Sequence, residues 1–168
     1  MTKEHEKNKL EEEETILPAD EEPQEVVTPF KYSITSYGAD YPVDGLVKRM
    51  AAEDIFIPRF QRGYVWSLTQ ASRFIESLLL GLPVPGIFLS KDEHTHKLLV
   101  IDGQQRLRTL QYFYEGIFEP TNHRFMLQGV QSRFEGATYR SLADEDRRRL
   151  DDSILHATIV KQDEPSED

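Results

Sequence analysis

The chain has 168 residues and no cysteine, and it carries 30 acidic residues against 20 lysines and arginines, for a net charge of −10. This length predicts a single domain, and the lack of cysteine excludes disulfides, thiolate metal sites and thiol catalysis. No run approaches the ~18 apolar residues of a membrane-spanning helix, and the first residues lack a signal peptide's apolar core. We therefore expect a cytoplasmic protein with no membrane partner.

The acidic charge is concentrated at the two ends of the chain. Residues 1–29 hold ten acidic and three basic residues, residues 161–168 hold four and one, and residues 30–160 hold sixteen of each. We predict a disordered acidic arm over 1–29, a folded domain over 30–160 and an acidic tail over 161–168. The balanced charge of the middle leaves nucleic acid open as a ligand.

The first half of the folded region alternates short helices and strands. Hydrophobic spacing predicts a helix over 43–50 and a short strand over 55–57 that Pro58 ends. A second helix is predicted to begin after Ser67, which suits an N-cap, and to end at Gly81.

Two continuous apolar runs follow, over 87–89 and 98–101, with a polar loop between them. Continuous runs of this kind are typical of strands that are buried on both faces. The second run leads into Asp102 and Gly103, which open another helix that we expect to end at Gly116.

The last third gives weaker signals. Residues 125–127 are predicted to form a strand, Ser141 with Asp144 resembles a capping box for a helix to about Leu150, and 154–160 alternates as a last strand would. The elements together predict an α+β (mixed α/β) domain in which helices flank a small mixed sheet.

One candidate binding segment is VIDGQQRLRTL, residues 100–110, where a strand turns directly into a helix. A helix N-terminus has unpaired N–H groups and a partial positive charge, and Gly103 lets a ligand approach the backbone closely. The N–H groups of Gln104, Gln105 and Arg106 would therefore bind an anion such as phosphate.

Arg106 shares a helical face with the apolar Leu110 and Phe113, which places its guanidinium toward the core, where a charge needs a partner. That partner is either a carboxylate, from Asp102 or Glu76, or a bound phosphate, for which a planar guanidinium is suited. Asp102 could also cap the helix or hold a divalent cation that bridges phosphates.

The second candidate segment is IPRFQRGYVW, residues 57–66, which interleaves basic and aromatic side chains. This combination suits phosphates and stacked bases. The alternative is an edge loop whose rings cover the core and whose arginines are solvated. If both segments meet at one end of the sheet, they form a cationic pocket with four arginines, namely Arg59, Arg62, Arg106 and Arg108.

The two segments and the sequence between them resemble the N-terminal domain of GmrSD-type, modification-dependent restriction endonucleases, which has a ParB/sulfiredoxin-like fold. The family pattern is roughly I-P-x-[YF]-Q-R-x-Y-V-W, then a helix ending S-[IL]-L-x-G-x-P-[IV]-P, then V-I-D-G-Q-Q-R-L-T-T-L. This chain has IPRFQRGYVW, then SLLLGLPVPGIFL at 77–89, then VIDGQQRLRTL. The resemblance covers residues 30 to about 160.

The resemblance implies a regulatory domain of a restriction and defence system that binds and hydrolyses a nucleoside triphosphate and senses modified DNA. Carried over by position, the nucleotide-phosphate site would comprise Asp102, Gly103, Gln104, Gln105 and Arg106. Gln61 and Arg62 would line the same pocket or a DNA-sensing one. Contacts to nucleic acid would come from Arg59, Arg62, Tyr64, Trp66 and Arg108, the last of which stands where many members have Thr.

Hydrolysis would need a metal and a positioned water. Asp102 is the candidate ligand of Mg²⁺, and Gln104 or Gln105 is the candidate to orient water. The alternative is a non-catalytic module that binds DNA or protein.

A nuclease centre is not recognisable in the sequence. Family members usually continue into a helical region and often an HNH nuclease domain, whose centre needs a histidine base and metal ligands. We therefore expect a stand-alone sensor, a truncated product, or one subunit of a split enzyme whose partner supplies the helical or HNH part. None of the histidines lies in an HNH-like context; they are His5, His94, His96, His123 and His156.

Overall fold

The computed structural model describes residues 33–61 and 63–163. The predicted acidic arm, Arg62 and residues 164–168 of the predicted tail lie outside the described residues. The described part confirms the α+β class, with four α-helices, a mixed five-stranded sheet and a separate two-stranded ribbon. None of the helices within these ranges has the length and apolar character that a bilayer-spanning helix requires.

The elements are short except for two strands. The helices are α1 (Val43–Ala51), α2 (Leu68–Leu79), α3 (Gln104–Glu115) and α4 (Asp144–Asp152). The strands are β1 (Ser33–Pro42), β2 (Ile55–Phe56), β3 (Ile87–Lys91), β4 (Leu98–Asp102), β5 (Ile117–Phe118), β6 (His123–Arg124) and β7 (Ile154–Asp163).

The five-stranded sheet has the order β1-β7-β3-β4-β2. The pairs β7–β3 and β4–β2 are parallel, and the pairs β1–β7 and β3–β4 are antiparallel. The carboxyl end of β4 leads through one residue into α3, so the strand and the helix meet at a sharp turn.

Helix α3 lies between two apolar clusters. Leu107 packs with α1 and the inner face of the sheet, in a cluster that also contains Leu46 and Val100. Leu110 and Phe113 pack in the other cluster, with residues of α2, α4 and the segment after β6. Because both clusters hold α3, its N-terminus has a fixed position at the end of β4.

The predicted start of α2 and the predicted ends of α2 and α3 are confirmed. The Ser67 hydroxyl accepts the N–H of Gln70 at 3.2 Å, and the Gln70 side chain accepts the N–H of Ser67 at 2.9 Å. Gly81 follows α2 with φ +70°, and Gly116 ends α3 with φ +87°. Both glycines adopt the left-handed conformation that ends many helices.

The prediction that β3 and β4 are buried on both faces is wrong. Phe88 is 44% exposed and Ile101 is 50% exposed, whereas the neighbouring Leu89 and Val100 are fully buried. Helices α1 and α3 cover one face of the sheet, and no described element covers the outward face at these positions. Apolar residues on both sides of a strand therefore do not mean that both sides are covered.

The predicted strand over 125–127 is also wrong. Phe125 and Leu127 have no strand pairing, and their side chains are buried in the helical cluster. The short strand precedes them at His123–Arg124 and pairs antiparallel with Ile117–Phe118. Burial in a helical cluster produced the same apolar pattern that a strand would.

The predicted capping box at Ser141 does not form. The Ser141 hydroxyl accepts the N–H of Thr138 at 2.8 Å, within the preceding turn. Helix α4 begins after Ala143, which gives no side-chain cap, and its first turn is acidic. Acidic side chains in the first turn are favourable because they lie at the positive end of the helix dipole.

β1, the first strand of the longest strand pairing, was not predicted from the sequence. β1 pairs antiparallel with β7 over its whole length, from Ser33 opposite Asp163 to Pro42 opposite Ile154. β1 is an edge strand with mostly exposed side chains, so its sequence lacks a clear apolar alternation. β7 confirms the predicted last strand and runs three residues further, through 161–163 of the predicted tail.

Candidate functional site

A cavity of about 400 Å³ lies where β4 turns into α3. We call it the N-terminal cavity, because the first turn of α3 forms one of its walls. Both candidate segments of the sequence contribute to it, so they meet in the folded chain. The lining residues are Gln61 and Trp66 from the first segment and Ile101, Asp102, Gly103, Gln104, Gln105 and Arg106 from the second.

Gln61 fixes the first segment over the end of β4. Its side-chain N–H group donates a short hydrogen bond to the carbonyl of Val100 and lies 3.5 Å from the carbonyl oxygen of Ile101. The loop that carries Gln61 is therefore tied to the strand from which the cavity floor is built.

Gln105 fixes the same segment from the helix side. Its Oε1 accepts the N–H of Val65 at 2.9 Å and the N–H of Trp66 at 3.3 Å, and its Nε2 donates to the carbonyl of Gly63 at 3.1 Å. Only 8% of Gln105 is exposed. Both acceptor sites of this oxygen are occupied, so the amide positions the wall that contains Trp66.

Gly103 makes the turn between β4 and α3 possible. It is the N-cap of α3, with φ +102°, a left-handed conformation that side chains other than glycine rarely adopt. A Cβ atom here would lie 2.5 Å from Cγ2 of Ile87, so there is also no room for a side chain at this position. No side chain caps α3, and Asp102 is the last residue of β4; the alternative in which Asp102 caps the helix is wrong.

Arg106 is the cation among the described residues that line the N-terminal cavity. Its side chain is 16% exposed, and its Nη2 donates to the carbonyl of Gly86 at 2.8 Å and lies 3.6 Å from Oδ2 of Asp102. Its Nε is buried without a hydrogen-bond partner among the described residues. Of the two carboxylates considered as partners, Asp102 is the nearby one, while Glu76 accepts the N–H of Gln131 at 2.6 Å.

The guanidinium of Arg106 is therefore only partly satisfied, and a cavity lies beside it. Asp102 is the one carboxylate among the described residues that line this cavity, and its side chain is 67% exposed. Within the described ranges, no group of three or more histidine or acidic side chains could hold a metal ion. A cation at Asp102 would take its other ligands from water and phosphate oxygens, as Mg²⁺ commonly does.

The arginines that were expected to cluster lie in different places. Of the three that the structure describes, only Arg106 lines the N-terminal cavity. Arg59 is exposed and lines a separate cavity of about 450 Å³ beside β2, together with Lys97. Arg108 lies beside Tyr112 and Glu119. Arg62 is outside the described residues.

The two aromatic residues of the first segment have different environments. Trp66 lines the N-terminal cavity and packs edge-on against Phe74, with ring centroids 5.7 Å apart. Tyr64 turns toward the helical core, where its hydroxyl lies 2.8 Å from that of Thr109 and its ring packs against Tyr112. Burial raises the pKa of Tyr64 to about 12. Trp66 is thus the aromatic ring that a ligand in this cavity could reach.

Sequence reasoning missed the positioning role of Gln105 and Thr109. The Thr109 hydroxyl donates to the carbonyl of Gln105 at 2.7 Å and bonds Tyr64, so the two residues connect α3 to the first segment. The sequence did contain a signal for this role. Gln105 and Thr109 are polar residues among the apolar positions of α3, and buried polar side chains need hydrogen-bond partners.

A comparison with protein families gives one match. The family described as GmrSD restriction endonuclease, N-terminal domain, matches residues 43–168, which include both segments of the cavity. No curated protein and no solved structure matches the chain. The ParB/sulfiredoxin-like assignment therefore stays a prediction.

Proposed function

Because the chain belongs to the GmrSD restriction endonuclease N-terminal domain family, it is a domain of a restriction system, and we propose that it binds a nucleoside triphosphate with Mg²⁺ in the N-terminal cavity. In this proposal the bound nucleotide regulates a response to foreign DNA, which the domain senses. The nuclease chemistry would come from a helical or HNH partner domain or chain.

The observation that supports the proposal best is the state of Arg106. A buried donor that has no hydrogen-bond partner costs about 1–3 kcal/mol, and Nε of Arg106 is such a donor. The same guanidinium lines a cavity of about 400 Å³, which is large enough for a small ligand. A phosphate oxygen in this cavity would form a charge-assisted hydrogen bond with the guanidinium of Arg106.

The surrounding residues fit the rest of a nucleotide. The start of α3 favours negative charge through its backbone N–H groups and dipole. Gly103, which lines the cavity, permits the sharp turn at which these N–H groups begin. Asp102 would hold Mg²⁺ that is already bound to the phosphates. Trp66 offers a ring on which a base can stack, and Gln61 completes the wall next to it.

The proposal has two forms, binding with hydrolysis and binding alone, and one contact favours binding alone. The side-chain oxygen of Gln105 already accepts two backbone N–H groups, so this residue is held as a wall rather than available to a water molecule. If hydrolysis occurs, Gln104 is the remaining candidate for orienting water, with Asp102 as the metal ligand. Phosphate release from ATP and GTP, measured with and without DNA, separates the two forms.

The binding proposal can be tested with the protein's own fluorescence. The chain has one tryptophan, Trp66, and it lines the cavity, so nucleotide binding should change its emission. Titration with ATP or GTP and Mg²⁺ gives the dissociation constant. Arg106→Ala should weaken binding at least tenfold, since a charge-assisted hydrogen bond contributes about 1.5–3 kcal/mol and about 1.4 kcal/mol is a factor of ten.

Two further variants make the result specific. Arg106→Lys keeps the charge but loses the planar fork, so it should bind more weakly than the unchanged protein and more tightly than Arg106→Ala. Arg148→Ala removes an exposed charge on α4, outside the cavity, and should bind normally. Circular dichroism confirms that each variant is folded. Equal affinity in folded Arg106→Ala and Arg148→Ala would refute the proposal.

A further inference from the structure

A second cavity lies at the other end of α3. It has a volume of about 350 Å³, and we call it the C-terminal cavity because the last turn of α3 forms one wall. It shares no lining residue with the N-terminal cavity and none with the two candidate segments. Its lining residues are Phe113, Tyr114, Glu115, Gly116, Arg124, Thr138, Tyr139 and Arg140.

Two tyrosines form a fixed aromatic platform in this cavity. The rings of Tyr114 and Tyr139 stack with centroids 4.2 Å apart and planes 26° apart. Both hydroxyls donate to the same oxygen of Asp151, at 2.5 Å and 2.9 Å. The ring of Tyr139 also packs edge-on against Phe113. Contacts from α3 and α4 therefore hold the two rings, both of which line the cavity, in one position.

Two arginines supply the positive charge of this cavity. Arg124 and Arg140 are exposed, and neither forms an ion pair with a described residue. Nearby arginines are different: Arg133 pairs with Asp146 at 2.7 Å, and Arg147 pairs with Asp144.

The positive and negative groups around this cavity are nearly equal in number. Glu115 is the one carboxylate among the described residues that line it. The end of α3 adds the partial negative charge of its last carbonyl groups, about half an elementary charge at most. The Asp151 carboxylate, which accepts both tyrosine hydroxyls, adds a further negative charge beside the rings. Arg124 and Arg140 therefore roughly balance the acidic groups, and they are the two groups of the wall that can bind an anion.

We propose that the C-terminal cavity binds one nucleotide unit of a DNA strand, with a base against the Tyr114–Tyr139 platform and a phosphate between Arg124 and Arg140. Stacking on aromatic rings combined with arginine contacts to phosphate is how proteins hold single strands without reading their sequence. The Thr138 hydroxyl supplies a further hydrogen bond. An acidic peptide would use the arginines but leave the platform without a role.

The choice of DNA as the source of this nucleotide rests on the proposed function, while the cavity rests on its own contacts. Helix α3 has 12 residues and is about 18 Å long at about 1.5 Å per residue. The DNA contact and the nucleotide contact would then lie at opposite ends of one helix. This arrangement gives a direct route by which DNA at one end could affect the nucleotide at the other.

The test measures DNA binding by fluorescence anisotropy, with a labelled single strand and the matching duplex. Arg124→Ala and Arg140→Ala should each weaken binding of the single strand about tenfold, and each should lower the salt dependence of log affinity by about one unit. Arg148→Ala removes an exposed charge that forms no ion pair with the part of the chain that the structure describes; it lies outside the cavity and is the matched control. Tyr139→Ala should also weaken binding, whereas Tyr139→Phe, which keeps the ring, should retain most of it.

Several outcomes would overturn the proposal. Unchanged affinity and salt dependence in the Arg124→Ala/Arg140→Ala variant, or no DNA binding by the unchanged protein, would each do so. Displacement of the strand by a polyglutamate peptide, with no effect of Tyr139→Ala, would assign the cavity to an acidic peptide instead. Displacement by a free mononucleotide at equal concentration would make free nucleotide, rather than DNA, the source of the phosphate.

The same variants separate this inference from the nucleotide proposal. Titration of Trp66 fluorescence with ATP should give the same affinity in Arg124→Ala/Arg140→Ala as in the unchanged protein, because Trp66 lies at the other end of α3. If ATP does not bind but the arginine variants still lose DNA, the nucleotide proposal fails and the DNA site stands. If ATP binds but the arginine variants keep their DNA affinity, the DNA site fails and the nucleotide proposal stands.

Discussion

The side-chain oxygen of Gln105 accepts the backbone N–H of Val65 at 2.9 Å, and this bond joins the first turn of α3 to a segment 40 residues earlier in the chain. The same amide also bonds Trp66 and Gly63. The shape of the N-terminal cavity therefore depends on a residue that positions its wall, in addition to the residues that would touch a ligand.

Replacing Gln105 with alanine should destabilise the protein by about 2 kcal/mol, because three half-buried backbone groups lose their partner. Nucleotide affinity should also fall, since the Trp66 wall loses its attachment. Urea denaturation gives the free energy of unfolding. Gln128→Ala is the matched control, because it removes an exposed bond of 3.4 Å to Thr69 and should cost less than about 0.5 kcal/mol. Equal losses in both variants would contradict the positioning role of Gln105.

Gly103→Ala should be far more destabilising than Gly116→Ala. Both glycines have left-handed conformations, which cost an alanine roughly 1–2 kcal/mol. At Gly103 the new Cβ would also lie 2.5 Å from Cγ2 of Ile87, while nothing lies within 4 Å of the corresponding position at Gly116. We expect an additional loss of about 1–3 kcal/mol at Gly103 from this overlap. Thermal unfolding of the two variants measures the difference, and equal melting temperatures would show that the turn can relax.

Because the sheet is covered on one face, we predict that alanine substitutions at the neighbouring Leu89 and Phe88 differ in their cost to stability. Leu89→Ala should cost about 2–5 kcal/mol, because Leu89 is fully buried in the core. Phe88→Ala should cost clearly less, although it removes a larger side chain, because Phe88 is 44% exposed on the outward face. Denaturant unfolding of both variants checks this expectation. A larger loss for Phe88→Ala would mean that part of the chain covers this face in solution.

Two partly buried tyrosines, Tyr64 and Tyr139, predict a loss of stability in strong alkali. Burial raises the pKa of Tyr64 to about 12 from an ordinary value of 10.0, and burial together with the Asp151 carboxylate raises the pKa of Tyr139 to about 12. Because the folded state favours the protonated phenols, the stability they contribute is fully present below pH 10 and is lost as the pH rises to about 12.

Tyrosinate absorbance and far-ultraviolet circular dichroism, measured together across this range, test the prediction. Some of the seven tyrosines should ionise only as the helical signal disappears. Tyr64→Phe should remove one of these late-ionising groups. Ionisation of every phenol near pH 10, with the helical signal intact, would be the contrary result.

The sequence by itself determined the features that depend on near neighbours in the chain. Helical spacing located α1, α2 and α3, Ser67 marked the start of α2, and Gly116 marked the end of α3. The turn at Gly103 was recognisable for the same reason, since a strand, a glycine and a helix follow one another directly. The resemblance to a restriction-endonuclease domain, which came from the order and spacing of these segments, was confirmed by the family match.

Only the tertiary structure decided which distant residues meet. Gln61 reaches the carbonyl of Val100 across 39 residues, and Arg106 lines the cavity while Arg59 and Arg108 lie elsewhere. It also decided that the sheet is covered on one face and that β1 pairs with β7. Hydrophobicity and charge give each residue a preference for burial or for a partner. The partner itself is selected by the packing of elements far apart in sequence, which no local pattern contains.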